Sequence, residues 1–425
     1  MTDTIFALSS GAPPAAIGVI RISGPAAGTT LESIVGRNIP ARKASLVSLH
    51  AADGTVLDEA LVLWFPGPKT ATGEDLLELH CHGGRAVVAA IESELSSFKG
   101  LRKAEPGEFT RRAFANGRID LAEAEGLADL LSAETELQRS AAMAMAGGRL
   151  SRQVEEWRDA LLRLAAEVEA ALDFSDEDDV GGLADDFSAR VQLLSDQLDD
   201  FLQRPRSERL SVGFRVVLVG PPNTGKSTLF NALVESEAAI TSPIAGTTRD
   251  VIERSVAISG VPFTFVDTAG LHDGGDDAIE AIGIDRARSQ LKSADLVLWL
   301  GPDHEEPNGA WGIEAQVDNP THLVKSAPMF RVSALTGEGV GELKLGLLEL
   351  ARNTLPKPGE AALNARQHNL LQDSHGALLE VHDSRDPLLI AESLRRARLA
   401  FDRLIGRATT EDMLDALFGR FCIGK

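Results

Sequence analysis

The sequence predicts a multidomain chain of mixed α/β and α character, with a phosphate-binding α/β domain inserted between helical segments. Three observations predict it. A glycine-rich loop, GPPNTGKS at 220–227, stands between a strand-like run and a helix start. Long apolar stripes at helical spacing fill 157–201, and another returns at 390–404. Ahead of both, residues 1–117 mix short strand-like runs with glycines.

In that first stretch IGVIRIS (17–23) and EALVLWF (59–65) read as strands, DLLELHCHGG (75–84) as a strand entering a glycine turn, and VVAAIESELSSF (87–98) as a helix. Together they make an α+β domain. His80 and His82 alternate along their strand and share a face, which could mimic a metal pair; with no third ligand in view, packing or ligand contact is the simpler reading. Cys81 reads as a small buried hydrophobe. Pro106-Gly107 marks a boundary before a helix near Phe109. Arg111, Arg112 and Arg118 stand out in an acidic chain, either facing an anionic ligand or solvated on a helix.

Residues 118–210 form the first part of a helical domain. Trp157, Leu161, Leu164, Val168 and Leu172 make one stripe; Phe187, Val191, Leu194, Leu198 and Phe201 make the next. The acidic run at 175–179 is the solvated turn between them, and RPRSERL (204–210) is a polar linker. The inserted domain spans 211–353: VGFRVVLVG, FTFVDTAG (263–270), DLVLWLG (295–301) and FRVSALTGEGV (330–340) supply its strands, and ELKLGLLEL closes it with a helix. Prolines 356 and 358 break the chain before 354–425 resumes the helical domain through Ile390, Leu394, Ala397, Phe401 and Leu404.

Composition narrows the class. A net charge of -21, from 63 acidic and 42 basic residues, excludes a broad polyanion-binding surface, so a nucleic-acid partner needs a local basic patch or a more basic second protein. Two cysteines, Cys81 and Cys422, make neither a disulfide framework nor a CxxC metal pair. There is no leader-like N-terminus and no run of 18 apolar residues, so the expectation is a cytoplasmic protein with no membrane partner.

The chemistry concentrates at the glycine-rich loop. Backbone N–H groups converge on an anion where such a loop opens a helix; Lys226 would reach the β/γ-phosphates and Ser227 would hold Mg²⁺. GTTRD (246–250) offers Thr248 as a second Mg²⁺ ligand. Asp267 ends a strand, placed to bind the ion through water, and the Gly270 N–H is free to meet a γ-phosphate. Three loops aimed at one phosphate indicate a nucleoside triphosphatase.

The chain as a whole resembles the tRNA-modifying GTPases of the MnmE (TrmE) type. The resemblance rests on IGVIRISG, TGEDLLELHCHGG, PGEFTRRAFANGRIDLAEAE, GPPNTGKSTLFNAL, IAGTTRD, DTAGLHD with EAIGIDRA, and the terminal FCIGK. It implies a Ras-like P-loop G domain inserted in a central helical domain, behind an N-terminal folate-binding, dimerising domain similar to aminomethyltransferases. The implied reaction modifies carbon 5 of the tRNA wobble uridine to aminomethyl or carboxymethylaminomethyl forms. It uses a one-carbon unit from 5-formyl- or methylene-tetrahydrofolate, with a homodimer joined to the flavoprotein MnmG (GidA) in a heterotetramer.

By the same resemblance, folate contacts fall on Arg21, Glu78 and Arg118, with Lys425 in that region. Arg118 stands where the family commonly has lysine, a planar fork in place of a point charge. GTP contacts fall on Asn223, Thr224, Gly225, Lys226, Ser227 and Thr228, on Asp267, Thr268, Ala269 and Gly270, and on Asp318, Ser333 and Ala334. Asn223 matches a K⁺ ligand, completed around Ser242, Ile244 and Thr247; Glu280 matches the residue that orients the attacking water, and Cys422 is the candidate for the tRNA chemistry.

One motif departs. Where guanine recognition uses Asn-Lys-x-Asp, this chain has Ala315-Gln316-Val317-Asp318, and the helix expected between Leu300 and Ala315 is lost to a short turn-rich segment. The expectation is a guanine preference that persists with weaker affinity. Two alternatives stay open: a GTP-dependent RNA-binding or ribosome-assembly factor without modification chemistry, and a scaffold that does not turn over nucleotide. A dinucleotide enzyme is disfavoured because no GxGxxG unit opens a βαβ pattern.

Overall fold

The computed structural model describes residues 3–173, 183–235, 237–240, 252–268, 290–408 and 410–424. The chain forms two compact units, residues 1–128 with 401–425, and residues 129–400.

In the first unit the order is β1 (Thr4–Leu8), β2 (Ile17–Ser23), α1 (Ala27–Val35), β3 (Ser45–His50), β4 (Val56–Phe65), β5 (Leu76–His82), α2 (Arg85–Ser97), β6 (Leu101–Lys103) and α3 (Glu108–Ala115). The strands pair as β3-β4-β5-β2-β1-β6, antiparallel except for β1 with β6. Strand alternation sorts the two faces. Ile20, Ile22, Leu77, Leu79 and Cys81 pack with Ile34 of α1 and Val88, Ile91 and Leu95 of α2. The intervening Arg21 and Glu78, cross-strand partners, therefore point to the other face.

Helix α4 (Leu121–Ser132) opens on residues that pack in this unit, where Leu121 and Ala124 meet Leu414, Phe418 and Phe421. The arginines of α3 are internal ties. Arg112 is fully buried against Asp3, Glu74 and Glu108, and Arg111 pairs with Glu411 and Asp415. Neither an anion-facing nor a simply solvated role describes Arg112.

The second unit continues with α5 (Glu136–Ala146), α6 (Arg149–Asp173), α7 (Phe187–Leu202), α8 (Glu208–Val212), β7 (Phe214–Val219), α9 (Lys226–Val234), β8 (Ala238–Ala239), β9 (Ile252–Ile258), β10 (Val261–Asp267), β11 (Leu296–Trp299), β12 (Trp311–Ala315), β13 (Phe330–Val332), α10 (Val340–Thr354), α11 (Ala365–Asp383) and α12 (Pro387–Leu404). Helix α13 (Glu411–Phe418) belongs to the first unit. Both sequence stripes are buried: Leu161, Leu164 and Val168 on α6, Val191, Leu194 and Leu198 on α7, with Trp157 edge-on to Phe201 at 5.3 Å. The 204–210 segment is not all linker, because its end coils into α8 around the buried Leu210. The acidic run at 175–179 lies outside the described residues.

Among the described residues, the strands of the second unit order as β13-β12-β11-β7-β10-β9-β8. β7 pairs in parallel with β10 on one side and β11 on the other. The chain direction across the sheet thus reverses at β7, which opens a crevice beyond its C-terminal end. The expected helix between Leu300 and Ala315 is replaced by turns leading into β12.

Candidate active site

The loop after β7 sits in that crevice. Its backbone turns through positive φ at Asn223 (63°) and Gly225 (88°), which brings Lys226 to the first position of α9. A side chain at Gly225 would also meet Gln316 at 3.1 Å. Lys226 is 5% exposed and donates from Nζ to the Pro221 carbonyl at 2.7 Å, while Thr224 Oγ1 donates to the same carbonyl at 2.9 Å. Burial pulls the Lys226 ammonium below its ordinary pKa, against the opposing pull of the Asp267 carboxylate. A desolvated cation at a helix N-terminus favours an anion.

Asp267 closes β10 opposite Leu218 and is 1% exposed; Thr268 donates its hydroxyl to the Leu218 carbonyl at 2.8 Å. Ser227 and Thr228 are exposed on the first turn of α9. Gly301 is flanked by the Trp299 indole and the Pro221 ring, which leaves no room for a larger residue.

A second pocket of about 250 Å³ lies beside the loop, lined by Gly225, Thr228, Ala315, Asp318, Ala334 and Leu335 among others. The Ser333 hydroxyl, wholly buried, donates to Asp318 Oδ1 and accepts from the Thr336 N–H at 3.1 Å. Gln316, at φ 58°, donates its amide to the Asn223 carbonyl at 3.3 Å. The side chain in the lysine's place thus ties the base pocket to the phosphate loop, a contact that motif reading missed. A carboxylate in a narrow slot beside a polyphosphate cradle reads a base that presents hydrogen-bond donors.

In the first unit Arg21 Nη2 donates to Glu78 Oε1 at 2.8 Å, with the Phe109 ring 5.9 Å from its guanidinium. His80 Nε2 lies 3.3 Å from Glu78 Oε2, and His82 Nδ1 lies 2.7 Å from Asp58. Arg118 donates to the Thr70 carbonyl at 3.1 Å. Arg21 and Glu78 are thus brought together, while Arg118 is anchored on the 70–73 loop. Burial pushes the Cys81 thiol up to about 11. Cys422 is exposed, and its carbonyl accepts from the Gly107 N–H at 3.4 Å. Ser242, Ile244, Thr247, Thr248, Ala269, Gly270, Glu280 and Lys425 lie outside the described residues.

A buried ammonium opening a helix at the reversal point of a parallel sheet, with a strand-end carboxylate and a base slot alongside, defines a P-loop nucleoside-triphosphate-binding protein. Comparison with known proteins narrows this. The family model for the GTP-binding protein TrmE N-terminus matches residues 4–118, and the MnmE helical domain matches 121–422. A tRNA modification GTPase MnmE of Erythrobacter litoralis is 65% identical over 423 residues, and one of Novosphingobium aromaticivorans is 61% identical over 437; each alignment spans 100% of both chains. The G domain of the T. maritima FeoB iron transporter is 26% identical over 32% of this chain and 98% of its own, with a TM-score of 0.24. The chain belongs to the MnmE family of tRNA modification GTPases.

Proposed function

We propose that the chain is a cytoplasmic, K⁺-stimulated GTPase that drives modification of carbon 5 of the tRNA wobble uridine. It acts as a homodimer with the MnmG (GidA) flavoprotein and takes its one-carbon unit from 5-formyl- or methylene-tetrahydrofolate. The observation that carries this reading is the buried Lys226 at the start of α9, in a chain aligned end to end with relatives named tRNA modification GTPase MnmE.

The residues suit the groups assigned to them. The exposed Ser227 hydroxyl and the buried Asp267 carboxylate are the oxygen donors that Mg²⁺ takes. Thr248 is assigned the second hydroxyl on that ion. Asn223, held left-handed on the loop, offers an amide oxygen for K⁺, with Ser242, Ile244 and Thr247 assigned the remaining positions. When bound, the two cations offset negative charge developing on the transferred phosphoryl group.

Lys226 is assigned the β/γ-phosphate oxygens, Thr268, Ala269 and Gly270 the γ-phosphate, and Glu280 the attacking water. Asp318 accepts from the guanine edge while backbone N–H groups of Ser333 and Ala334 meet its carbonyl oxygen. Arg21, Glu78, Arg118 and Lys425 hold the folate: the Glu78 carboxylate suits the amino-pyrimidine edge of a pterin, and the guanidinium groups suit its anionic tail. Cys422, an exposed cysteine, supplies a nucleophile to the tRNA chemistry once ionised.

The test is steady-state hydrolysis of GTP and ATP, each in KCl and in NaCl at matched ionic strength. GTP turnover that requires K⁺ is the expected result. Equal rates in the two salts remove the Asn223 site, and equal use of ATP removes guanine recognition by Asp318.

A further inference from the structure

The strand that precedes the base slot carries a charge where a parallel strand is ordinarily apolar. Glu314, at the end of β12, is 2% exposed and gathers three donors around one carboxylate. His322 Nε2 lies 2.9 Å from Oε1, Arg331 Nε of β13 lies 3.2 Å from the same oxygen, and the Lys325 N–H donates to Oε2 at 3.4 Å. The Lys325 ammonium is turned away to Asp303, at 3.7 Å.

His322 is engaged on its other side too. Nδ1 lies 2.7 Å from the Asn319 carbonyl oxygen. Both of its partners are acceptors, a carboxylate oxygen and a carbonyl oxygen, so both ring nitrogens must donate. Only the imidazolium can do that. Asn319 is the residue after Asp318, and its turn is closed by the same contacts: its N–H donates to the Gln316 carbonyl at 2.8 Å, and its side chain accepts from the Thr321 N–H at 3.0 Å. The Asp318 loop thus hangs from Glu314 through one imidazole ring.

We propose that His322, held as a cation between Glu314 and the Asn319 carbonyl, is a positioning residue for the Asp318 loop, where Ala315 stands in place of the motif's asparagine, so that guanine selectivity by Asp318 depends on one proton. The proposal rests on Asp318 reading guanine. Loss of the proton leaves one ring nitrogen an acceptor facing an acceptor, and either the Glu314 or the Asn319 contact must open. The groups facing the ring agree: the Glu314 hydrogen bond raises its pKa first, the Asn319 carbonyl adds to this, and the Arg331 charge opposes it. A raised folded-state value means that the clamp is complete at low pH and is lost as pH rises through that value.

The experiment measures equilibrium affinities of the full chain for GDP and inosine diphosphate, with Mg²⁺ and at constant ionic strength, from about pH 6 to about pH 8.5. Inosine lacks the exocyclic amino group, one of the two donors an aspartate accepts from guanine. The GDP-to-inosine ratio cancels the titration of the phosphates. The expected result is a ratio that falls about tenfold with rising pH, the scale of one charge-assisted hydrogen bond. In His322→Gln and in Glu314→Gln the ratio is low and flat with pH.

A wild-type ratio above one that does not change with pH overturns the clamp and leaves guanine reading standing. A ratio of one at every pH overturns both. His322→Gln that keeps the wild-type ratio and slope also overturns the clamp.

Discussion

Lys226 and Cys422 are opposite kinds of candidate residue. Lys226 is a desolvated charge whose ammonium sits on its own loop's carbonyl, so removing it relieves a burial penalty while removing the proposed phosphate contact. Lys226→Met is expected to melt no lower than wild type without nucleotide and to bind GTP about a hundredfold or more weakly. Titration and a melting curve check this; a GTP affinity within about threefold of wild type would sink the assignment. Cys422 is held by its backbone and is exposed as a residue. Cys422→Ser is expected to hydrolyse GTP at the wild-type rate and to leave wobble uridines unmodified in cells that depend on it, as nucleoside analysis of their tRNA would report. Both candidates come from motifs, Lys226 from the glycine-rich loop and Cys422 from the terminal FCIGK. Motif reading did not find the burial of Arg112, whose partners Asp3 and Glu74 are distant in sequence and carry no local pattern.

Elements with a strong period were legible: the stripes on α6 and α7, the alternation of β2, and the loop between β7 and α9. β12 was not. Its WGIEA mixes a glycine and a charge because Glu314 serves the loop that follows, and a strand specified by tertiary contacts has no hydrophobic signature to read. The junction of β13 with α10 offers a test at this scale. Gly339 caps α10 at φ 71°, and a Cβ there would lie 1.9 Å from the Arg331 carbonyl oxygen. Gly339→Ala is expected to cost at least about 2 kcal/mol through the left-handed conformation and the clash together. The displaced β13 would also shift Ser333, so GTP affinity should fall in the same variant. Unchanged denaturation midpoint and affinity would show that the junction yields freely.

Across the whole molecule, 63 acidic residues make acid the natural stress, and the first unit contains a carboxylate network that acid should dismantle. Burial pushes the Glu108 carboxyl up, but hydrogen bonds from Arg102, the Glu105 N–H and Arg112 outweigh it and hold the pKa below the usual value; Asp3 follows the same balance through Arg102 and Arg112. A carboxyl depressed in the folded state adds stability above its unfolded pKa and loses it as pH falls through the folded one. Urea denaturation followed by circular dichroism should therefore show the first unit intact at about pH 7 and weakened below about pH 4. Glu108→Gln should lose about 2 kcal/mol at neutral pH and show a shallower acid decline. An identical acid profile in that variant would remove Glu108 from the account.

The chain has no tyrosine and four tryptophans, and one of them, Trp299, shares with Pro221 of the phosphate loop the space around Gly301. Excitation at indole wavelengths therefore reaches a chromophore built into the nucleotide site without interference from tyrosine emission. A change in emission on adding unlabelled nucleotide that Trp299→Phe abolishes would let loading and release be followed in real time by the protein's own light.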